Sequence, residues 1–222
     1  MDLLALFAPE RCVSCRTPGA DLCACCLSSI DLLTGPRCRS CGNRTVIDVD
    51  RCNECRGRRF AFATARAAIA LDGTGAVLVR AWKDRGLRRL ADRCAGLVVA
   101  VVPRPACDAL VVVPSNGDRA RWRGTDGPSA VAERLGVLWE LPVLRPLIRV
   151  GDRPQRGLDR AERRRNARTQ FRWVDGMRAP GTVGLVDDVY TTGATVDVCA
   201  RLLRQAGAGR VEVVTFARAV RS

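Results

Sequence analysis

The chain has 222 residues with 47% hydrophobic content, enough for one mid-sized domain with a real core plus a smaller region. It contains no histidine, which excludes Ser-His-Asp triads, His-paired cysteine nucleophiles and every His-containing zinc site. A net charge of +14, carried almost wholly by arginine, points to anionic partners, whether nucleic acid or a multiply anionic small substrate, while 5% aromatic content argues against an extended base-stacking platform.

The N-terminus, Met1 to Pro9, lacks a basic n-region and is short for a signal peptide. No apolar run reaches the roughly 18 residues that cross a bilayer; Leu97 to Val102 is cut short by Pro103. The expectation is a soluble, cytoplasmic protein without a membrane span.

Nine of the twelve cysteines fall between residues 12 and 55, eight of them in four Cys-x-x-Cys pairs: Cys12/Cys15, Cys23/Cys26, Cys38/Cys41 and Cys52/Cys55. Each pair puts two thiolates on one tight turn, within reach of a metal at about 2.3 Å. Four pairs make two four-cysteine sites. In a cytosolic chain these read as structural zinc, about two ions, with an iron–sulfur cluster as the alternative. Pairing 12/15 with 23/26 and 38/41 with 52/55 closes the shorter loops; an interleaved cross-brace is the other arrangement. A segment this short and poor in large apolar residues needs metal to fold. Cys94, Cys107 and Cys199 stand alone in apolar company and read as core residues.

The pattern changes near residue 59, so the chain divides into a Cys-rich region (1–58) and an α/β region (59–222). Phe60 to Leu71 reads as a strand. Ala76 to Arg85 and Arg88 to Val102 read as helices, Asp108 to Val113 as a buried strand stopped at Pro114, and Gly127 to Leu135 as a helix. Val143 to Arg149 reads as a strand, Arg149 to Gly157 as a mobile loop, Asp159 to Asn166 as a short Arg-rich helix and Phe171 to Val174 as an edge strand. Thr182 to Val186, Val196 to Gln205 and Arg210 to Phe216 form a β-α-β unit. Near-continuous apolar strands alternating with helices indicate a parallel sheet flanked by helices.

Within that unit an apolar strand runs into Asp187-Asp188, then Thr191-Thr192-Gly193-Ala194-Thr195, then a helix. Such a turn aims backbone N–H groups at an anion, and the helix dipole adds to the attraction. Two carboxylates beside a phosphate cradle suit a sugar phosphate, whose hydroxyls they can face. Leu185 to Asp188 would also pass for a Walker B strand, but no Walker A loop exists around Lys83, the single lysine. Gly73-Thr74-Gly75 lacks the third glycine of a dinucleotide fingerprint.

The Asp-Asp and Thr-Thr-Gly-Ala-Thr block resembles the phosphoribosyl pyrophosphate (PRPP) motif of type I phosphoribosyltransferases. Joined to the N-terminal Cys-x-x-Cys pairs, it resembles the ComF family, whose members are linked to competence and DNA uptake. Further matches are Lys83 to Gly86, Val113-Pro114 with Arg119 and Arg123-Gly124, Gln155 to Leu158, Arg163, Asn166, Phe171 and Arg218. Thr125 to Gly127 departs from the family's Phe-Asn-Gln, and Asn116 stands where the family has histidine.

The resemblance implies a type I phosphoribosyltransferase fold with a small Cys-rich zinc-binding region. It implies that Asp187 and Asp188 contact the ribose hydroxyls and act in catalysis, and that Thr191, Thr192, Gly193, Ala194 and Thr195 hold the 5′-phosphate. Arg119 and Arg123 fall to the pyrophosphate, with Mg²⁺; Lys83, Gln155, Arg163 and Asn166 fall to the closing loop or acceptor side. Two functions follow as expectations. One is a PRPP-dependent transferase acting on a nitrogen acceptor. The other is an inactive PRPP-binding or single-stranded-DNA-binding module acting in DNA uptake or regulation, with single-stranded DNA or a DNA-uptake helicase as partner. A plain zinc scaffold would leave the Asp-Asp loop unexplained.

Overall fold

A computed structural model describes residues 10–85, 90–115, 127–150 and 170–220. Among them run α1 (Ala24–Ser28), β1 (Thr64–Ala70), α2 (Gly73–Arg85), α3 (Leu90–Val101), β2 (Ala109–Val112), α4 (Gly127–Trp139), β3 (Val143–Leu144), β4 (Leu147–Arg149), β5 (Phe171–Trp173), β6 (Thr182–Tyr190), α5 (Ala194–Gln205) and β7 (Arg210–Arg218).

Five strands form one parallel sheet in the order β1-β7-β6-β2-β3. Its central strands are apolar on both faces, and the two sets of side chains feed two clusters. Leu110, Val112, Val186, Val214 and Phe216 pack with α3 and α4. Val111, Val183, Leu185, Val211 and Val213 pack with Val196, Cys199 and Leu203 of α5. Helices on both faces are what a parallel sheet requires, since its crossovers must lie over the strands.

Three sequence expectations shift. Val143 to Arg149 is two strands, not one: β3 joins the main sheet, while β4 pairs antiparallel with β5 in a separate ribbon. Pro146 stands between them and has no N–H for a ladder. The strand expected from Phe60 begins at Thr64: the Ala61 N–H is taken by Asp197 Oδ1 of α5 at 2.7 Å, and the chain meets β7 only from Ala63, whose N–H donates to Val211 O at 2.8 Å. Finally, β6 does not stop at Val186. Asp187 and Asp188 are strand residues, and β6 stays in register with β7 through Tyr190 opposite Arg218. Cys94 and Cys199 are buried in the core and Cys107 is half-buried, as their apolar neighbours suggest. The segments 151–169 and 116–126 lie outside the described residues, including the expected loop and Arg-rich helix.

The Cys-rich region packs directly on the sheet. Cys12, Val13, Leu22 and Ile30 share a cluster with Leu78 and Trp82 of α2. Cys38, Cys41 and Cys55 share the other with Ala65 of β1. Between them, Asp31 to Leu33 runs antiparallel along β1, with Leu33 N–H donating to Ala68 O at 2.8 Å and Ala70 N–H to Asp31 O at 2.8 Å. That segment covers an edge otherwise open to pairing with another chain. No described helix is long and apolar enough to cross a membrane.

Candidate active site and metal centres

The strand order itself locates a crevice. From β6 the chain crosses by α5 to β7; from β2 it crosses by α4 to β3. These connections leave neighbouring strands in opposite directions, and their helices lie on opposite faces of the sheet. In open α/β sheets ligands bind at such a switch point, outside the carboxyl ends of the strands. The carboxyl end of β6 carries Asp187, Asp188 and the turn 191–193 that leads into α5.

Asp187 is half-buried and Asp188 buried at 7% exposure. Adjacent strand residues point to opposite faces, so the pair diverges across the sheet edge rather than forming one acidic cluster. Asp187 Oδ1 accepts the Asp188 N–H at 2.8 Å. Thr191 and Thr195 are exposed and Thr192 half-buried. Helix α5 begins at Gly193 with no side-chain cap. The Ala194 N–H reaches the Thr192 Oγ1 at 3.4 Å, and the start of α5 otherwise lies open at the positive end of the helix dipole, the arrangement that favours an anion.

Gly193 is held at φ +73°, where a side chain is strained. A Cβ there would also collide with the ring of Tyr190, 2.7 Å from its Cζ. The glycine therefore has a packing reason beside the one the sequence suggests, close approach of backbone to a ligand. Lys83 lies in α2. Arg119, Arg123, Gln155, Arg163 and Asn166 lie outside the described residues.

Five residues around this site, Arg58, Phe60, Phe62, Tyr190 and Arg218, carry no motif signal strong enough to single them out. The Arg58 Nη2 group donates to the Thr192 carbonyl at 2.7 Å, and its guanidinium lies over Phe60 at 4.5 Å. Phe60 stacks on Phe62, whose ring meets Tyr190 edge-on at 6.4 Å. Arg218, 1% exposed, lies over the other partner of that contact, 4.5 Å from the Tyr190 centroid. Its fork donates to Cys41 O at 2.7 Å, Glu54 Oε2 at 2.8 Å and Asn43 Oδ1 at 3.2 Å, and reaches Cys41 Sγ at 3.5 Å. A fully buried guanidinium persists only when its donors are met in this way. The one sequence hint was Arg218's place near the family's C-terminal Ala-Arg.

The eight expected ligand cysteines form two compact sets, Cys12/Cys15/Cys23/Cys26 and Cys38/Cys41/Cys52/Cys55, with the sulfurs of each within 4.8 Å of one another. The sequential pairing holds and the interleaved one does not. Sulfur separations of 3.5 Å (Cys15–Cys23), 3.6 Å (Cys41–Cys52) and 3.9 Å (Cys38–Cys55) are far too long for disulfides. They match the spacing of about 3.8 Å that a tetrahedron with 2.3 Å bonds requires. Cys25 is exposed and outside both sets.

The electrostatics of the sets also fit a cation. Burial pushes Cys12 up, but the N–H groups of Cys15, Cys23 and Ser14 outweigh it and bring the thiol down to about 6. Cys38 likewise falls to about 7, with burial opposed by the N–H groups of Cys41, Cys52 and Ser40. In the same sets Cys26 rises to about 12 and Cys55 to about 11. For Cys55 burial comes first, and the neighbouring thiolates add to it. For Cys26 the Ser14 side chain pulls down against burial and the three other sulfurs. Four thiolates at this spacing cannot all ionise unless a positive charge sits among them.

No protein-family model matches the chain. It is 26% identical to Competence protein F of Haemophilus influenzae over 224 residues, 94% of this chain and 97% of that protein. It is 32% identical to Competence protein ComFC of Streptococcus pneumoniae over 108 residues, 49% of this chain and 47% of that one. Among solved structures it is similar to a glutamine PRPP amidotransferase from B. subtilis, at 22% identity and TM-score 0.40 over 65% of this chain, spanning 28% of that protein's length. It is also similar to an adenine phosphoribosyltransferase from Thermoanaerobacter pseudethanolicus, at 11% identity and TM-score 0.38 over 60% of this chain and 83% of that one. The chain is thus similar along nearly its whole length to a competence protein, and it combines paired cysteine sets with an acidic strand end that feeds the start of α5 at the switch point of a parallel α/β sheet.

Proposed function

We propose that the chain binds PRPP at the β6–α5 turn and transfers its phosphoribosyl group to a nitrogen acceptor, in the service of competence and DNA uptake in the cytoplasm. The carrying observation is the turn 191–193 at the switch point, with carboxylates before it and the open start of α5 after it. The 5′-phosphate sits on Thr191, Thr192, Gly193, Ala194 and Thr195, where N–H groups, hydroxyls and the helix dipole converge. Asp187 and Asp188 take the ribose hydroxyls.

In the transfer, the C1′–O bond breaks and its electron pair leaves with pyrophosphate. The acceptor nitrogen's lone pair forms the new C1′–N bond, and that nitrogen then gives its proton to water. Positive charge builds on the ribose between the two events, and the carboxylates beside it stabilise that charge. Arg119 and Arg123 would clamp the leaving pyrophosphate through planar forks, and Mg²⁺ bound with PRPP would offset its charge. Lys83, Gln155, Arg163 and Asn166 serve the closing loop and acceptor side.

The cysteine sets hold structural zinc, about two ions, within a Cys-rich region 1–58 that supports the α/β region 59–222. The +14 charge supports contact with single-stranded DNA, and a competence role, the word the names of two relatives carry, is in keeping with that partner. Calorimetric titration with PRPP and Mg²⁺, followed by a pyrophosphate-release assay over bases and amines, tests the reading. Saturable binding lost in Asp187→Asn/Asp188→Asn supports it. Binding without release for any acceptor leaves a PRPP-binding module, and no binding removes the site.

A further inference from the structure

The second cysteine set and the β6–α5 turn are joined by a short chain of side chains. Arg218 grips the second set from one side, through the Cys41 carbonyl, the Cys41 sulfur and Glu54, which lies between Cys52 and Cys55. The face of the same guanidinium lies against Tyr190, the last residue of β6. The Tyr190 ring then occupies the space where a Gly193 side chain would be. A second strand of the link leaves the set just after Cys55: Arg58 holds the Thr192 carbonyl. Both ends of the turn are thus braced from one cysteine set.

The first set makes no such contact among the described residues. Its neighbours are α2 and the α3 end of the core, with Asp21 paired to Arg93 and Ser29 to Thr74. The two sets therefore differ in what their loss would disturb.

We propose that Arg218, Tyr190 and Arg58 are positioning residues that make the anion site of the β6–α5 turn depend on the metal state of the second cysteine set, and not of the first. When the set opens, the Cys41 carbonyl and Glu54 no longer hold the Arg218 fork, and the support under Tyr190 goes with them. The turn loses the fixed backbone that an anion cradle requires. The inference rests on the reading of that turn as the PRPP site, because it assigns the metal's influence to the affinity of the same cradle. Coupling of this kind is reciprocal: whatever the metal does for the anion, the anion does for the metal.

The test uses the full chain loaded with zinc. Amide exchange of residues 190–197 is followed in the parent and in Cys52→Ser, Cys23→Ser, Tyr190→Leu and Arg218→Lys. Exchange there is expected to rise roughly tenfold in Cys52→Ser, within the ordinary range of coupling between sites, and to stay at the parent level in Cys23→Ser. Tyr190→Leu, with both sets intact, should raise it too, and Arg218→Lys should do so while keeping the charge. Equal responses to Cys52→Ser and Cys23→Ser, or no response to Tyr190→Leu and Arg218→Lys, overturn the proposal, and the last two variants decide the matter if Cys52→Ser does not fold.

The second arm measures zinc release to a chromogenic chelator with and without PRPP. Slower release from the second set in the parent, lost in Tyr190→Leu, is the expected result. PRPP that binds Cys52→Ser as tightly as the parent also overturns the proposal. If exchange at the turn follows the second set but PRPP changes neither exchange nor release, the coupling stands and it is the PRPP reading that fails.

Discussion

In the first cysteine set Cys15 is exposed and Cys23 half-buried; in the second, Cys38, Cys41 and Cys55 are buried and only Cys52 is half-buried. The spacing within pairs is the same, so the difference comes from what each set packs against. The first lies on the outer side of α2. The second lies over β1, so close that a Cβ on Gly42 would come within 2.5 Å of the Ala65 carbonyl, and it receives the guanidinium of the last strand. Equal ligand chemistry thus produces a peripheral clip in one place and part of the core in the other. A Cys-x-x-Cys repeat says how metal is held, not what the metal holds.

The sharpest way to break this comparison is Arg218→Met. It leaves Glu54 without its partner and removes three backbone and side-chain hydrogen bonds from a fully buried position. Breaking a buried pair from one side costs about 3–5 kcal/mol. Arg93→Met beside the first set removes a contact to Asp21 at 3.5 Å in which the arginine is half-exposed and the carboxylate buried, for which a smaller loss of about 1–3 kcal/mol is expected. Urea unfolding of both variants checks the contrast, and equal losses would remove it.

Gly193→Ala tests the route from the second set to the turn. The residue must adopt φ +73° and its Cβ must displace Tyr190. A strained left-handed position costs about 1–3 kcal/mol. The loss should show both in thermal unfolding and as weaker PRPP binding. A variant that unfolds like the parent would mean that Tyr190 yields freely and supports nothing.

Chelation compares the sets directly. A chelator should reach the first set before the second, and iodoacetamide, after the exposed Cys25 that belongs to neither set, should reach Cys15 and Cys23 before the second set, since access governs both reactions. Metal release is expected in two phases, the fast one abolished by Cys23→Ser and the slow one by Cys52→Ser. A single phase in the parent would make the sets equivalent.

The smallest effect concerns the pair that ties the segment between the sets to the second knuckle. Arg44 donates both arms to Asp31, at 2.9 and 2.7 Å. That hydrogen bond, ahead of any burial effect, lowers the Asp31 carboxyl below its ordinary 3.8. A depressed folded-state value means that the pair stabilises above about pH 3.8 and that this contribution disappears as pH falls through the folded value. Both side chains are about 40% exposed, so Asp31→Asn should cost only about 0.2–1 kcal/mol at neutral pH. The difference from the parent should vanish in acid, and a difference that persists there would place its origin elsewhere.

Much of this was readable because the informative signals are local. The Cys-x-x-Cys turns, the Asp-Asp strand end and the Thr-Gly-Ala-Thr turn are each set by neighbours within a few residues. The β-α-β unit at 182–218 is legible for the same reason, as apolar strands separated by an amphipathic helix. Where locality ends, so does the reading. The strand expected to end at Val186 runs on to Tyr190, because pairing with Arg218 keeps β6 extended to that point. The division of 143–149 at Pro146 depends on which strand each half finds as a partner. Arg218 is one of many arginines in the sequence; only Cys41, 177 residues away, and Glu54 make it a buried one. No periodicity encodes such a contact.

The position of β7 has a consequence for how the molecule is made. It is the last described strand, yet it lies between β1 and β6. On the ribosome, the cysteine sets and β1 emerge long before the strand that joins them to the rest of the sheet. Until Arg210–Arg218 arrives, β1 has no neighbour in the main sheet and the second knuckle has no guanidinium. Metal capture can come early, but the cradle at the end of β6 can set only when β7 slides into the gap. Closing contacts over so long a stretch of chain is slow, so nascent chains should spend that interval with two open sheet edges, the stage at which a chaperone or early metal loading would matter most.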